Sequence, residues 1–198
     1  MNFIDWLLLQ DTKVFLFLNG LHTPLLDEFM YIISKVWVWI PLYLAVVAFI
    51  IKKWKMESIW IILSIVLCVV LTDQLTNLTK AFFERLRPSH EPALKGLVHH
   101  VNGYLSGNFS FVSGHSSNVF GFALLSSLIL KQKVYTWAIF FWAVIVAYSR
   151  IYLGVHYPLD IFGGMVLGMG VALIIYTILR AFQKKLLAEI KSRLSADV

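Results

Sequence analysis

The sequence predicts an all-α protein, a polytopic bundle of transmembrane helices. Hydrophobic residues make up 59% of the 198 residues and charged residues only 14%, whereas a soluble domain is about 45–50% apolar. The mean hydropathy of +0.77 agrees with this contrast. A helix needs roughly 20 apolar residues to cross the hydrocarbon core, and five segments are long enough or nearly so. These segments are Met30–Ile51, Ile59–Leu78, Gly114–Leu130, Val134–Tyr152 and Pro158–Phe182.

The first helical segment, residues 2–19, is more polar than these five. Asp5, Asp11 and Lys13 interrupt its apolar positions. We therefore predict an amphipathic helix in the membrane interface, with a sixth crossing as the alternative. The length suits one membrane domain over residues 1–198. Within it we expect an N-terminal interfacial segment at 1–27, a motif-bearing core at about 73–178 and a basic cytoplasmic tail at 183–198.

The distribution of basic residues predicts the orientation. With five crossings, ten of the 17 Lys and Arg residues fall on one face of the membrane. Cytoplasmic segments carry such an excess, so we expect this face to be cytoplasmic and the other to look outward. The ten are Lys52, Lys53, Lys55, Lys131, Lys133, Arg180, Lys184, Lys185, Lys191 and Arg193. This distribution, with the polar clusters described next, accounts for the net charge of +6 without nucleic acid.

Three polar clusters lie at the predicted outward ends of helices, where ionisable residues indicate a functional site by default. The first contains Lys80 and Arg87, seven residues apart, followed by Pro88. If the helix continues to Pro88, the two cations share a face about 10 Å apart. Asp73 and Asn77 extend this stripe, which we expect to point into the bundle. Alternatively, the cations only anchor a helix end by reaching the headgroups.

The second cluster is Ser113-Gly114-His115, at the start of a predicted crossing. Ser113 is a good N-cap, and the free N–H groups of a helix start attract phosphate. His115 adds a titratable group. The alternative is that these are ordinary residues of a helix start.

The third cluster contains Ser149-Arg150, His156 and Asp160. Asp160 follows His156 by one helical turn, so its carboxylate can accept the proton of one imidazole nitrogen. The other nitrogen is then free to act as a nucleophile. A capping Asp beside a buried His is the alternative for this pair alone, but it explains neither Arg150 nor the other clusters on the same face.

These clusters resemble the three-part signature of the type 2 phosphatidic acid phosphatase superfamily, which includes lipid phosphate phosphatases and shares its site with vanadium-dependent haloperoxidases. The matching pattern is Lys80-x6-Arg87-Pro88, Ser113-Gly114-His115 and Ser149-Arg150-x5-His156-x3-Asp160. The resemblance covers about residues 73–178. One departure is Val112, where the family commonly has Pro, and it affects only the expected geometry of the loop.

The resemblance implies a role for each matched residue. His156 would attack the phosphorus to form a phosphohistidine, Asp160 would orient it, and His115 would act as general acid and base. The phosphate would be bound by Lys80, Arg87, Ser113, Gly114 and Arg150. Three cations make a divalent metal unnecessary, so we expect neither metal nor cofactor. The adjacent His99 and His100 are read as loop residues.

The expected enzyme is a metal-independent phosphatase acting on a lipid in a bacterial inner membrane, with its site facing the periplasm or the outside. The candidate substrates are undecaprenyl pyrophosphate, phosphatidylglycerol phosphate, phosphatidic acid and lipid A. We expect the loop Ser89–Val112 to bind the headgroup. A phosphotransferase and a non-catalytic lipid-binding or transport protein are the alternatives. We expect no obligate protein partner and a monomer or weak dimer. Gly164 and Gly168 favour close packing against a helix of the same chain.

Overall fold

The computed structural model describes residues 2–196, apart from the side chains of residue 187 and residues 189–196. Its helices are α1 (Phe3–Asn19), α2 (Pro24–Ile33), α3 (Ile40–Trp54), α4 (Ser58–Phe83), α5 (Gly114–Leu130), α6 (Lys133–Tyr152) and α7 (Pro158–Ala196). Short 3-10 turns occur at Val36–Trp39, Lys55–Glu57, Pro88–His90 and Pro92–Leu94. Between residues 2 and 196 there is no β-strand, so the predicted all-α fold is confirmed.

Helix α5 lies at the centre of the bundle and contacts α4, α6 and α7. Its contact with α7 is closest at two glycines of α7. A Cβ atom on Gly164 would lie 2.5 Å from the Ser113 carbonyl oxygen, and one on Gly168 only 2.0 Å from that of Ser117. Because only glycine lets the two backbones approach this far, the predicted packing within one chain is confirmed.

In the described part of the chain, three helical segments are long and apolar enough to cross a membrane: Val36–Phe83, Lys133–Tyr152 and Pro158–Leu186. The first contains both α3 and α4, which are separated by a turn at Lys55 with a positive φ of 46°. Helix α5 is apolar too, but it is shorter, with 17 residues. The structure therefore supports a polytopic membrane bundle without fixing the number of crossings.

The prediction of one continuous helix over Met30–Ile51 is wrong. Helix α2 ends at Ile33, and α3 begins only at Ile40. The Trp39 indole N–H donates to the Ile33 carbonyl at 2.7 Å, which satisfies one of the free acceptors at the end of α2. Pro41 follows in the first turn of α3, where its missing N–H costs nothing. Averaged hydropathy did not show this break, because apolar residues lie on both sides of the two polar residues Ser34 and Lys35.

Helix α1 is formed as predicted, but it is anchored in the fold. Its capping box joins Asn2 and Asp5, and it contacts α6 and α7. Asp11, Phe15 and Asn19 are buried on the contacting side. The interfacial position of α1 remains a prediction, as does the division into segments at 1–27, 73–178 and 183–198. Within the predicted tail, the side chains of Lys191 and Arg193 and all of residues 197–198 lie outside the described residues.

Candidate active site

The three polar clusters meet at one cavity of about 630 Å³. Each comes from a different part of the chain: the end of α4 and its following loop, the start of α5, and the segment joining α6 to α7. The polar residues that line the cavity are Asp73, Lys80, Arg87, Tyr104, Ser106, Gly114, His115, Asn118, Arg150 and His156. Of the predicted site residues, only Ser113 and Asp160 do not line it; both are buried behind the wall.

Arg87 reaches the cavity from a loop and not from a helix. Helix α4 ends at Phe83, and Glu84 adopts the left-handed conformation at φ 45°. The prediction that Lys80 and Arg87 share one helical face is therefore wrong. The Arg87 backbone N–H instead donates to the Asn108 carbonyl at 3.0 Å. Burial and the nearby Arg150 charge lower the pKa of Arg87 to about 10, which leaves it cationic at neutral pH.

The turn between α6 and α7 brings Arg150 and His156 together. Gly154 has a φ of +72°, a conformation that favours glycine. The Arg150 carbonyl accepts hydrogen bonds from the backbone N–H groups of Val155 at 3.1 Å and His156 at 3.2 Å. Both side chains are thereby held beside the cavity, with exposed fractions of only 2% each.

The contacts of His156 determine its tautomer. The Arg87 Nη1 atom lies 2.8 Å from the Val155 carbonyl oxygen and 3.0 Å from His156 Nε2. Because a guanidinium only donates, Nε2 must be the acceptor, and the proton of the neutral ring is on Nδ1. Burial, together with the charges of Arg87, Arg150 and Lys80, holds the pKa of His156 well below 6.5. The ring is therefore neutral, with its lone pair on the cavity side.

Asp160 lies on the other side of the His156 ring. Its Oδ2 atom is 3.4 Å from Nδ1, a close contact without the alignment of a full hydrogen bond. The same oxygen accepts the Tyr157 backbone N–H at 2.8 Å. The predicted pairing of these two residues, one turn apart, is therefore present as a geometric contact.

Ser113 and His115 open α5 in different ways. The Ser113 hydroxyl accepts the Ser116 N–H at 3.4 Å, and its own N–H donates to the Asp160 carbonyl at 2.9 Å. Ser113 thus caps the helix and joins it to α7. The His115 Nε2 atom lies 3.1 Å from the Ser34 carbonyl oxygen, so the proton of the neutral ring is on Nε2. Val112, which stands where the resembled family commonly has Pro, is buried, and its N–H donates to the Thr79 hydroxyl at 3.3 Å.

The cavity is strongly cationic. Among the described side chains, no carboxylate lies within 4.0 Å of the charged atoms of Lys80, Arg87 or Arg150. Arg150 Nη2 donates to the Tyr104 hydroxyl at 2.9 Å. Its Nε and Nη1 atoms, like Arg87 Nε, are buried without a hydrogen-bond partner in the described part of the chain. Buried donors of this kind are costly unless an acceptor binds them, so the cavity is suited to an anion with several oxygens.

Comparison with known proteins agrees with this geometry. The family model of the PAP2 superfamily matches residues 58–184. The chain belongs to the PAP2 superfamily. A lipid A 4'-phosphatase of Porphyromonas gingivalis is 40% identical over 177 residues, which cover 88% of this chain and 75% of the relative. A lipid A 4'-phosphatase of Bacteroides thetaiotaomicron is 34% identical and covers 83% of this chain and 75% of its own length.

A solved structure supports the same assignment at the level of the fold. The transmembrane PAP2-type phosphatidylglycerolphosphate phosphatase from Bacillus subtilis superposes with a TM-score of 0.68 at 24% identity, covering 90% of this chain and 87% of its own. The family model and the phosphatases similar to this chain show that this PAP2 protein is an integral membrane lipid phosphatase, a hydrolase of phosphate esters.

Several residues around the PAP2 site were not predicted from the sequence. Arg85, between the matched Lys80 and Arg87, contacts Asp160, and Asp11 of α1 contacts Arg85. The Ser34 carbonyl, in the unpredicted break before α3, binds His115. Tyr104 and Ser106, by contrast, lie in Ser89–Val112, the loop expected to bind the headgroup. For Asp11, the sequence contains one signal of a structural or functional role, namely an acidic residue within an apolar helix.

Two other predictions concern residues near the cavity. Asp73 lines it, but Asn77 is exposed and donates to Asp73 at 3.4 Å, so the inward orientation of the whole stripe is wrong for Asn77. His99 is in a loop as predicted, where its Nε2 lies 2.8 Å from Asp27 Oδ1 and its ring stacks on His22. Within residues 2–196, no group of three or more His, Cys, Asp or Glu side chains could hold a metal. Metal independence remains a prediction.

Proposed function

We propose that this phosphatase removes the 4'-phosphate of lipid A at the outer face of a bacterial inner membrane, through a phosphohistidine on His156. One observation carries the proposal: the Nε2 lone pair of a neutral His156 faces a cavity with three cations that have no carboxylate partner. A phosphate in this cavity would have its charge neutralised and its phosphorus beside a nucleophile.

In the proposed first step, His156 Nε2 attacks the phosphorus, and the bond from phosphorus to the lipid oxygen breaks. Arg87 Nη1 donates to Nε2, so it has to transfer this hydrogen bond to a phosphate oxygen before the attack. The charge of Asp160 would then stabilise the ring as it becomes cationic. Lys80, Arg87 and Arg150 would bind the phosphoryl oxygens, with the Gly114 N–H as a further donor at the helix start.

His115 is proposed to move the proton in both steps. The negative charge of the bound phosphate favours its doubly protonated form, which gives a proton to the leaving lipid oxygen. The neutral His115 then takes a proton from water as that water attacks the phosphorus and the bond to His156 breaks. Ser113 caps α5 behind the cavity wall, and a direct contact of its hydroxyl with phosphate stays a prediction.

The shape of the cavity supports a lipid substrate. Below the cations its wall is apolar and is formed by α3, α4 and α5, including Val47, Val66 and Val70. Val66 and Val70 are exposed by 53% and 49%, so this part of the wall opens towards the side of the bundle. An acyl chain could lie there while its phosphate reaches His156. Among the substrates considered, the two lipid A 4'-phosphatases similar to this chain favour lipid A.

The orientation is proposed from the basic residues. Lys53, Lys131 and Arg180, three of the predicted cytoplasmic residues, line one cavity, so these three lie at a common end of the bundle. The proposed catalytic residues lie at the opposite ends of α4, α5 and α6. The positive-inside rule then puts the active site on the periplasmic side.

A phosphate-release assay tests the proposal. Purified protein in detergent is given lipid A, phosphatidylglycerol phosphate, undecaprenyl pyrophosphate and phosphatidic acid separately. We expect release from lipid A to be fastest, to occur at the 4' position, and to be abolished in His156→Ala. His22→Ala, an exposed histidine outside the cavity, is the matched control. Acid-labile, alkali-stable phosphate on the protein would support the intermediate, and near-normal turnover in His156→Ala would exclude it.

A further inference from the structure

A chain of charged contacts leads from α1 to the proposed nucleophile. Asp11 Oδ2 lies 2.6 Å from Arg85 Nη2, and Arg85 Nη1 lies 2.9 Å from Asp160 Oδ1. Asp160 Oδ2 in turn is 3.4 Å from His156 Nδ1. Neither Asp11 nor Arg85 lines the cavity, so neither can touch a substrate there. Their connection to the site runs through Asp160.

The chain is removed from solvent, which makes its charges depend on one another. The side chains of Asp11 and Asp160 are 1% and 0% exposed, and that of Arg85 is 18% exposed. A buried charge that loses its partner is strongly destabilising, so each member restricts the positions of its neighbours. The Arg85 guanidinium also stacks on the Tyr157 ring at 3.9 Å. Because the planar Arg85 guanidinium binds two carboxylates and lies on an aromatic ring, it has little freedom to rotate.

Asp11 has a second contact that fixes it to the catalytic segment. Its Oδ1 atom accepts the Leu159 backbone N–H at 2.9 Å, in the first turn of α7. A carboxylate at this position is favourable, because the free N–H groups give a helix start a partial positive charge. Asp11 therefore connects the middle of α1 both to Arg85 and to the helix that carries Asp160.

The two oxygens of Asp160 are used differently. Oδ1 binds Arg85, while Oδ2 accepts the Tyr157 N–H and faces His156 Nδ1. Without Arg85, Oδ1 would be a buried anionic oxygen close to the cations of the cavity, and the carboxylate would turn towards them. That rotation would move Oδ2 away from Nδ1 and remove the group that keeps the His156 proton on the far side of the ring.

We propose that Asp11 and Arg85 are positioning residues, which hold Asp160 so that His156 presents Nε2 to the phosphate. The inference rests on the proposed function. It gives α1 an indirect part in catalysis. This helix, which we predict to lie at the membrane interface, supplies Asp11, the charged residue of the contact chain that is farthest from His156.

Steady-state kinetics of Asp11→Asn, Arg85→Gln and Arg85→Lys test the proposal. We expect kcat to fall about 10- to 100-fold in Asp11→Asn and Arg85→Gln, by analogy with the range found for groups that orient a metal-bound histidine. KM should stay within about twofold, because the cavity wall is unchanged. Arg85→Lys should fall between these variants and the parent, since it keeps the charge but not the two-pronged geometry. Asp5→Asn on α1 and Arg180→Gln on α7, both exposed, are matched controls.

A second background separates positioning from general stability. In Asp160→Asn, the group on which Asp11 and Arg85 act is already altered, so adding Asp11→Asn should reduce kcat by less than about twofold. Formation of phosphohistidine in a single turnover should be slowed in the same variants. Melting temperature and gel filtration identify any variant that fails to fold. If Asp11→Asn or Arg85→Gln fails to fold, the kinetics of Arg85→Lys are used to test the proposal instead.

The possible results separate the two proposals. Unchanged kcat in folded Asp11→Asn and Arg85→Gln, a rise in KM alone, or an equal loss in the Asp160→Asn background would overturn the positioning role while leaving the phosphatase mechanism intact. Full turnover in His156→Ala would refute the mechanism itself, and the positioning role with it.

Discussion

Replacing Gly168 by alanine tests the contact between α5 and α7. The added Cβ would lie 2.0 Å from the Ser117 carbonyl oxygen, 2.7 Å from its carbonyl carbon and 2.9 Å from its Cα. Ordinary contact begins at 3.4 Å, so the two backbones would have to separate by more than 1 Å. No flexible side chain can absorb this, because all three atoms belong to the backbone of α5.

The magnitude follows from two opposing terms. Overpacking costs about 1–3 kcal/mol or more, and a backbone clash belongs at the upper end. Replacing glycine by alanine in a helix returns at most about 1 kcal/mol. We therefore expect a net loss of about 2 kcal/mol. Ser117 is three residues from Gly114 and two from His115, so the shift would also displace the cavity wall, and a displacement of about 1 Å can cost 100-fold in turnover.

The assay compares Gly168→Ala with Gly170→Ala, which has no atom within 4 Å of its added Cβ. Thermal unfolding in detergent should show a lower Tm for Gly168→Ala and an equal or higher Tm for Gly170→Ala. Phosphate release should fall only in Gly168→Ala. If the two variants are equally stable and equally active, the close packing of α5 on α7 is not a determinant of this fold.

Three further predictions concern the site. Turnover should persist in excess EDTA, because Lys80, Arg87 and Arg150 supply the charge that a metal would otherwise provide; loss of activity that Mg²⁺ restores would contradict this. Arg87→Lys should lower kcat/KM about 100-fold, since one ammonium cannot replace the guanidinium that contacts both Val155 O and His156 Nε2; wild-type kinetics would show that the fork is dispensable. The pKa of His156 is lower in the folded protein than in the unfolded chain, so as the pH falls the unfolded chain takes up a proton on this histidine first. The free energy of unfolding should therefore fall as the pH drops below about 6.5. In thermal unfolding at pH 5 and pH 7.5, His156→Ala should lose less stability than the parent, and an equal loss would assign the effect to other groups.

The chemistry of the site was predictable because it is encoded in short segments. Ser113-Gly114-His115 is contiguous, and His156 and Asp160 are one helical turn apart. Ionisable residues also stand out in a chain that is 59% hydrophobic. The packing of Gly164 and Gly168 was predictable for the same reason, since their spacing alone places both on one face of a helix.

The bends of the chain were not predictable from composition. Only Ser34 and Lys35 interrupt the apolar residues from Met30 to Ile51, yet the chain breaks between Ile33 and Ile40, and the break supplies the Ser34 carbonyl that binds His115. Similarly, α4 ends before Arg87 and not at Pro88. Hydropathy measures how strongly a residue prefers an apolar environment. It contains no information on the direction of the backbone, so it cannot locate such bends.

The sequence by itself determined the class of protein, the membrane setting and the residues that we propose to bind and attack a phosphate, because each depends on composition or on local spacing. Only the tertiary structure decided which atoms face each other: that Arg87 donates to His156 Nε2, and that Asp11 reaches Asp160 through Arg85. Asp11 and Arg85 are 74 positions apart. A contact across that distance leaves no periodic pattern in the chain, since it exists only once α1 has packed against α6 and α7 and the loop after α4 lies beside it.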